Sequence, residues 1–244
     1  MLKTSQAETI FDLGFCDGAD TAYYLAKGFR VVAVEANPAL AAAGQNRFAA
    51  EIADGRLTLL NIGIGSEHAT LPFYVNEANA HWSSFEISYG CRDGTPFHIV
   101  YVSCQTIGEL LETYGCPYYM KIDIEGVDKI VLSDMVKRTE RPTLISVEEF
   151  GPATFDALAA LGYTRFRVVP QNHRPRNRLP LWRREGRYVP WWTFDLHSSG
   201  PFGRDLRLPW RSAADARRDY DALLAAERAN SVREWWDIHA AQPI

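Results

Sequence analysis

No stretch of about 18 apolar residues occurs in the 244-residue chain, so no segment reads as a bilayer-spanning helix and no membrane partner is expected. Cysteine is scarce: Cys16, Cys91, Cys104 and Cys116 form no C-x-x-C pair and have no histidine nearby at zinc-finger spacing. That leaves no disulfide framework or zinc module, and buried thiols in a reducing cytoplasm are the expectation. The opening Met1-Leu-Lys-Thr-Ser lacks the apolar core of a signal peptide, which again points to the cytoplasm. Positive charge is not in excess, and a net charge of −4 offers no general attraction to nucleic acid. Internal repeats and low-complexity tracts are absent too. What remains is ordinary, 47% hydrophobic and 23% charged, which at this length suits one large α/β domain, or one domain with a substantial appendage.

The most informative residues are Ile10-Phe-Asp-Leu-Gly-Phe-Cys-Asp-Gly18, followed by Val31-Val-Ala-Val-Glu35. The first reads as a buried strand turning sharply into a helix, with Gly14 and Gly18 letting backbone approach a ligand. The helix that starts near Gly18 directs its unsatisfied N–H groups into that turn. Glu35 closes a second apolar strand, where a carboxylate can accept both hydroxyls of a ribose. Together they describe a nucleoside-binding crevice. A nicotinamide dinucleotide is the competing ligand. Asp12 at the end of the first strand would repel a pyrophosphate, and Cys16 stands where that site needs its middle glycine. An Asp in the turn suits a cationic ligand without phosphate.

Strands and helices alternate over 9–61 and again over 106–169, predicting an α/β fold with a doubly wound, mostly parallel sheet. The helix opened by Pro38 is expected to continue to Asp54-Gly55. Between the two alternating stretches, 69–75 and 97–102 read as extended segments flanking a polar stretch with His81-Trp-Ser-Ser-Phe85, a hairpin-like insertion over the ligand edge. The expected organisation is a binding domain over 1–170, with its insertion at about 66–104, and a C-terminal extension over 171–244 packing on it. The extension carries arginines and six of the seven tryptophans: eight arginines fall between Arg165 and Arg187, Tyr188–Phe194 reads as a Trp-rich strand, and 212–239 reads as a helix carrying Trp235-Trp236. Arginines suit bidentate phosphate binding, so a nucleotide-sugar or sulfated acceptor is one expectation; a solvated loop with arginines paired to acids is the other.

Ligands of such sheets bind outside the carboxyl ends of the strands, where Asp12, Glu35, Asn61, Asp123 and Glu148-Glu149 all fall. Strand alternation puts Lys121 and Asp123 on one face, about 6–7 Å apart. Charges in an apolar central strand are costly unless they pair or do a task. A structural ion pair, Lys121 with Asp123 or Glu149, is the alternative to a functional one.

The chain resembles the FkbM-type family of S-adenosylmethionine-dependent methyltransferases in Phe11-Asp-Leu-Gly14, Val34-Glu35-Ala-Asn-Pro38, Asn61-Ile-Gly-Ile-Gly65, Ser83-Ser-Phe85, Lys121-Ile-Asp-Ile-Glu-Gly126 and Ile145-Ser-Val-Glu148-Glu149. The order and spacing match over about 10–165. Two departures are Cys16 in the glycine turn and Val127-Asp128 after Glu-Gly, where another acid is common. The resemblance implies a seven-stranded, Rossmann-like class I methyltransferase sheet, S-adenosylmethionine as donor, and O-methylation of a sugar or natural-product hydroxyl.

On that basis Glu35 should accept from the ribose, Asn61 and Ile62 should flank the adenine, and the turn containing Asp12, Gly14, Phe15 and Gly18 should hold the methionine portion. Asp123 faces the same crevice as Asp12, within reach of the donor as well as the acceptor. A hydroxyl benefits from a positioned base or a metal. Asp123 is the first candidate base, with Lys121 orienting it or lowering the hydroxyl pKa; His81 is the second. Glu149 joins the catalytic candidates, since Asp123 with Glu148 or Glu149 could instead bind Mg²⁺. RNA 2′-O-methylation, with the arginines as clamp, and a nucleoside-binding scaffold without turnover are the rival readings. The oligomeric state is open.

Overall fold

The computed structural model describes residues 8–171, 179, 185–194, 198–230 and 235–242. In chain order β1 (Thr9–Leu13), α1 (Ala19–Ala26), β2 (Arg30–Val34), α2 (Pro38–Arg47), α3 (Ala49–Ala53) and β3 (Leu57–Leu60) form the first half of the fold. The insertion comprises β4 (Gly63–Ile64), β5 (Ala69–Asn76), α4 (Ile87–Gly90) and β6 (Phe97–Gln105). Then follow α5 (Ile107–Tyr114), β7 (Tyr119–Ile122), α6 (Asp128–Met135), β8 (Leu144–Glu148), α7 (Ala153–Ala160), β9 (Arg165–Pro170), α8 (Ala213–Asn230) and β10 (Trp236–Ala241).

Seven strands make one sheet in the order β3-β2-β1-β7-β8-β10-β9. The first five run parallel, and β10 runs antiparallel to both β8 and β9. The expected doubly wound, mostly parallel, Rossmann-like architecture is therefore present. Strands buried on both faces need apolar side chains on both, and Ile10, Phe11 and Leu13 of β1 are fully buried, as are Met120 of β7 and Ile145 and Val147 of β8. Alternation sends Phe11, Leu13, Met120 and Ile122 to the layer of α5, α6 and α7, and Ile10 and Tyr119 to the layer of α1. Asp12 and Lys121 share the α1 side and sit opposite each other in the β1–β7 register.

β5 and β6 pair antiparallel from Ala69 opposite Cys104 to Asn76 opposite Phe97, as the hairpin reading predicts, and β4 adds a third strand. No helix among the described residues is long and apolar enough to cross a membrane.

Three sequence expectations need correction. The helix opened by Pro38 breaks at Phe48, whose φ and ψ of −109° and 26° are not helical. Its ring turns inward, edge-on to Phe15 at 5.9 Å, so packing overrides helix continuity. Residues 188–194 form turns and loops, not a strand. The helix expected over 212–239 ends at Asn230, and Trp236-Asp-Ile-His-Ala-Ala241 is strand β10. There Trp236, Ile238 and Ala240 pack into the core on the α7–α8 side, an alternation of period two. Of the Arg-rich stretch, Arg165 and Arg167 lie over the Trp210 ring, and Arg167 donates to the carbonyl of Gly203. Arg174, Arg176, Arg178, Arg183 and Arg184 fall outside the described residues.

Candidate functional site

A cavity of about 660 Å³ opens at the carboxyl ends of β1, β2, β7 and β8, covered by the insertion. Its floor is the turn after β1. Gly14, at φ 91°, passes so close to β7 that a Cβ there would stand 1.9 Å from the carbonyl oxygen of Asp123. Gly14 and Phe15 both donate to the carbonyl of Val34, which fixes the turn against β2. Cys16 takes a left-handed conformation, φ 51°, that a glycine would adopt without strain. Its N–H donates to Glu35 Oε2 at 2.7 Å, and the N–H of Asn37 donates to Glu35 Oε1 at 2.7 Å. Glu35 is thus locked from both sides at the cavity wall. Burial pushes its carboxyl up to about 7, against the pull of those two N–H donors.

Beneath the floor Lys121 is the electrostatic hub. Its Nζ donates to the Gly14 carbonyl at 3.0 Å and lies 3.4 Å from Asp12, Asp20 and Asp123. Burial acts to lower its pKa, but those carboxylates outweigh it and hold the ammonium well above its ordinary value. Lys121 is therefore a fixed cation, not a base. Asp12 is fully buried, accepts from Thr21 Oγ1 at 2.6 Å, and does not line the cavity. Its expected contact with the methionine portion is replaced by support of Lys121; Asp17, Ala19 and Asp20 line the cavity there instead.

Gly18, the N-cap of α1, also lies off the cavity, under the rings of Phe15 and Phe48. Phe15 and Ile62 line the wall. Asn61 does not; its Nδ2 donates to the carbonyl of Glu35 at 2.8 Å and ties β3 to the end of β2.

The turn after β7 carries the opposing wall. Glu125 and Gly126 take φ of 50° and 93°, and Asp128 accepts from the N–H groups of Ile124 and Gly126 at 3.1 and 3.2 Å. The acid one step later than the family pattern is thus the cap of this turn. Ser84 of the Ser83-Ser-Phe85 motif donates to the Glu125 carbonyl at 2.6 Å, pinning the insertion to the turn. Asp123, Glu125 and Glu148 bring carboxylate oxygens within 4.8 Å of one another. Burial, then the neighbouring Asp123, pushes Glu125 up to about 7 and Glu148 well above the usual range.

Glu149, expected in this group, turns away: it accepts from Tyr220 Oη at 2.5 Å and from the N–H of Gly151 at 2.6 Å. Strand alternation permits only one of Glu148 and Glu149 to face the crevice. The hard-oxygen set that could hold a divalent cation is Asp123, Glu125 and Glu148, with Arg92 bonded to Glu125 as a competing cation.

His81 lines the roof, its Nδ1 3.2 Å from Cys16 Sγ. Burial, then Glu35, pushes the Cys16 thiol far up, so it stays protonated. Sequence reasoning missed Asp17 and Asp20, the turn position of Glu125, Trp82, Arg92 and Asp93 of the insertion, and Trp235 and Asp237 beside β8. Glu125 was within the Lys-Ile-Asp-Ile-Glu-Gly string, and the period-two pattern around Asp237 was available; Trp82 and Arg92 carried no signal of their own.

A family model described as the methyltransferase FkbM domain matches residues 12–179. Methyltransferase FkbM from Methylobacillus flagellatus KT is similar at 16% identity and a TM-score of 0.45, over 69% of this chain and 41% of that chain. This chain thus spans about two fifths of that protein's length. Precorrin-6y C5,15-methyltransferase from Geobacter metallireducens GS-15 is similar at 11% identity and a TM-score of 0.41, over 99% and 84%. The C-terminal domain of the Rhodobacter capsulatus enzyme of that name gives 10% and 0.43, over 99% and 84%. No curated protein matches the chain.

Proposed function

This chain belongs to the FkbM methyltransferase-domain family, which implies S-adenosylmethionine as donor, and from that premise we propose that it methylates a hydroxyl of a small acceptor, a sugar or natural-product intermediate. The observation that carries this reading is one cavity holding both the doubly anchored Glu35 at the end of β2 and Asp123 at the end of β7. Each oxygen of Glu35 uses one lone pair on a backbone N–H and keeps another for a ribose hydroxyl. Ile62 offers an apolar surface to the adenine, and the Gly14 turn leaves room for backbone-close contact with the methionine portion. The residues present therefore fit the donor.

When bound, the donor supplies an electrophilic methyl group on a cationic sulfonium. The protein has two tasks, alignment of the hydroxyl with that methyl and removal of its proton. Asp123 is the base in this reading. Its side chain is 37% exposed, so an acceptor can reach it, and Lys121 at 3.4 Å holds it in place from below. Lys121 is a positioning residue. His81 lines the roof beside Cys16.

The test is methyl transfer from labelled donor to a panel of sugars and hydroxylated natural products, for the wild type and Asp123→Asn. Turnover should fall by about 10²–10⁴-fold with affinity for S-adenosylhomocysteine within a few-fold of wild type. Unchanged turnover removes Asp123 as base.

A further inference from the structure

Both cations that line the cavity among the described residues are committed to carboxylates of the protein. Lys121 is enclosed by Asp12, Asp20 and Asp123. Arg92 is bonded through Nη2 to Glu125 and lies over the rings of Trp82 and Tyr89, 5.3 and 5.0 Å from their centroids. Glu148 differs. It is partly buried, lines the cavity, and its side chain has no hydrogen-bond or ion-pair partner among the described residues. Asp237 sits opposite it in the β8–β10 register, and Asp93, Asp123 and Glu125 add negative charge along the same cavity. With only like charge around it this carboxyl is held towards its protonated form, and a cationic ligand beside it would favour the ionised one. The donor's single net positive charge can be met beside the glycine turn by Asp17 and Glu35, which leaves Glu148 for the acceptor. Trp82 and Trp235 line the cavity as well, and indole faces hold ammonium groups better than other rings.

We propose that the acceptor carries an ammonium group beside its hydroxyl, as an amino sugar does, with Glu148 as its counter-charge and the tryptophans as its walls. This rests on the hydroxyl-methylation reading and narrows its substrate class. Phosphorylated, sulfated and carboxylated acceptors, including nucleotide-sugars and RNA, face like charge from the described acids of this wall. The described arginines of the Arg-rich stretch do not offset this, since Arg165, Arg167 and Arg187 lie off the cavity.

The test is calorimetry on the full chain, with and without saturating S-adenosylhomocysteine, at a pH that keeps the amine protonated. The probes are methyl glycosides of glucosamine, galactosamine and mannosamine, their N-acetyl forms, and the matching sugar phosphates. At least one amine should bind about tenfold tighter than its N-acetyl partner, the difference one charge-assisted hydrogen bond makes, with the phosphates weakest. Glu148→Gln should bring that ratio close to one. Trp235→Leu, at a half-exposed position, should lower it independently. Equal binding within every pair, tighter binding of the phosphates, or a preference that survives Glu148→Gln overturns the proposal. So does Mg²⁺ titrating into the cluster and becoming necessary for binding of the neutral sugars. Titration with S-adenosylhomocysteine alone reports separately on the donor, and the sugar series run without it still reads the charge preference.

Discussion

Asp237 lies directly opposite Glu148 in the antiparallel register of β8 and β10, and both side chains line the cavity. A strand far along the chain, inserted between β8 and β9, thus completes a wall that the central strands begin. The site is only as stable as that strand.

Trp236 anchors it. The side chain is 1% exposed and meets Tyr220 edge-on at 5.7 Å. Trp236→Ala should destabilise the protein by about 3–5 kcal/mol, the usual cost of emptying a buried indole site. Denaturant unfolding checks this, and a loss under 1 kcal/mol would show that β10 is dispensable.

Lys121→Met should be as severe for a different reason. It leaves Asp12 and Asp20, 0% and 3% exposed, without their cation, which costs about 3–5 kcal/mol at neutral pH. The loss should shrink at about pH 5, because burial already pushes Asp12 up to about 6 and its protonation removes the uncompensated charge. Full stability in Lys121→Met at pH 7 would contradict the positioning role.

Several carboxyls are held above their ordinary range, first by burial in each case: Asp12 and Asp128 up to about 6, Glu35 and Glu125 up to about 7, and Glu148 well above the usual carboxylate range. Each binds its proton more tightly in the folded chain than in the unfolded one. Stability from these groups is therefore complete at low pH and is lost as pH rises through the folded values, at up to about 1.4 kcal/mol per pH unit per group. Donor-free protein should melt at a lower temperature at about pH 7.5 than at about pH 5.5. A melting temperature that rises across that interval would contradict the buried-acid arrangement.

Much of this was legible in the sequence because the physics was local. Apolar runs ending in an acid marked β1, β2, β7 and β8, and Gly14 stood out as a glycine where an apolar strand turns sharply into a helix; that a Cβ there would strike the Asp123 carbonyl only the structure shows. What escaped notice depended on tertiary choices. Trp235-Trp236 fits a helix face as well as a strand, and the decision for β10 comes from the gap it fills between β8 and β9. Asp12 and Asn61 occupy strand ends like Glu35, yet pairing draws them off the cavity: Asp12 supports Lys121, and Asn61 bonds to backbone of the β2 end. Glu148 and Glu149 were separable by alternation alone. Arg92 and Trp82 reach the site through tertiary contacts of the insertion, among them Ser84 bonded to the Glu125 carbonyl.

The central claim is that the crevice accepts a nucleoside whose ribose meets Glu35 and which carries no pyrophosphate. Isothermal calorimetry of the full chain with S-adenosylhomocysteine and with NAD tests it most directly. Saturable micromolar binding of S-adenosylhomocysteine, weakened at least about tenfold in Glu35→Ala and not matched by NAD, is expected. Tight NAD binding with no response to S-adenosylhomocysteine would contradict it.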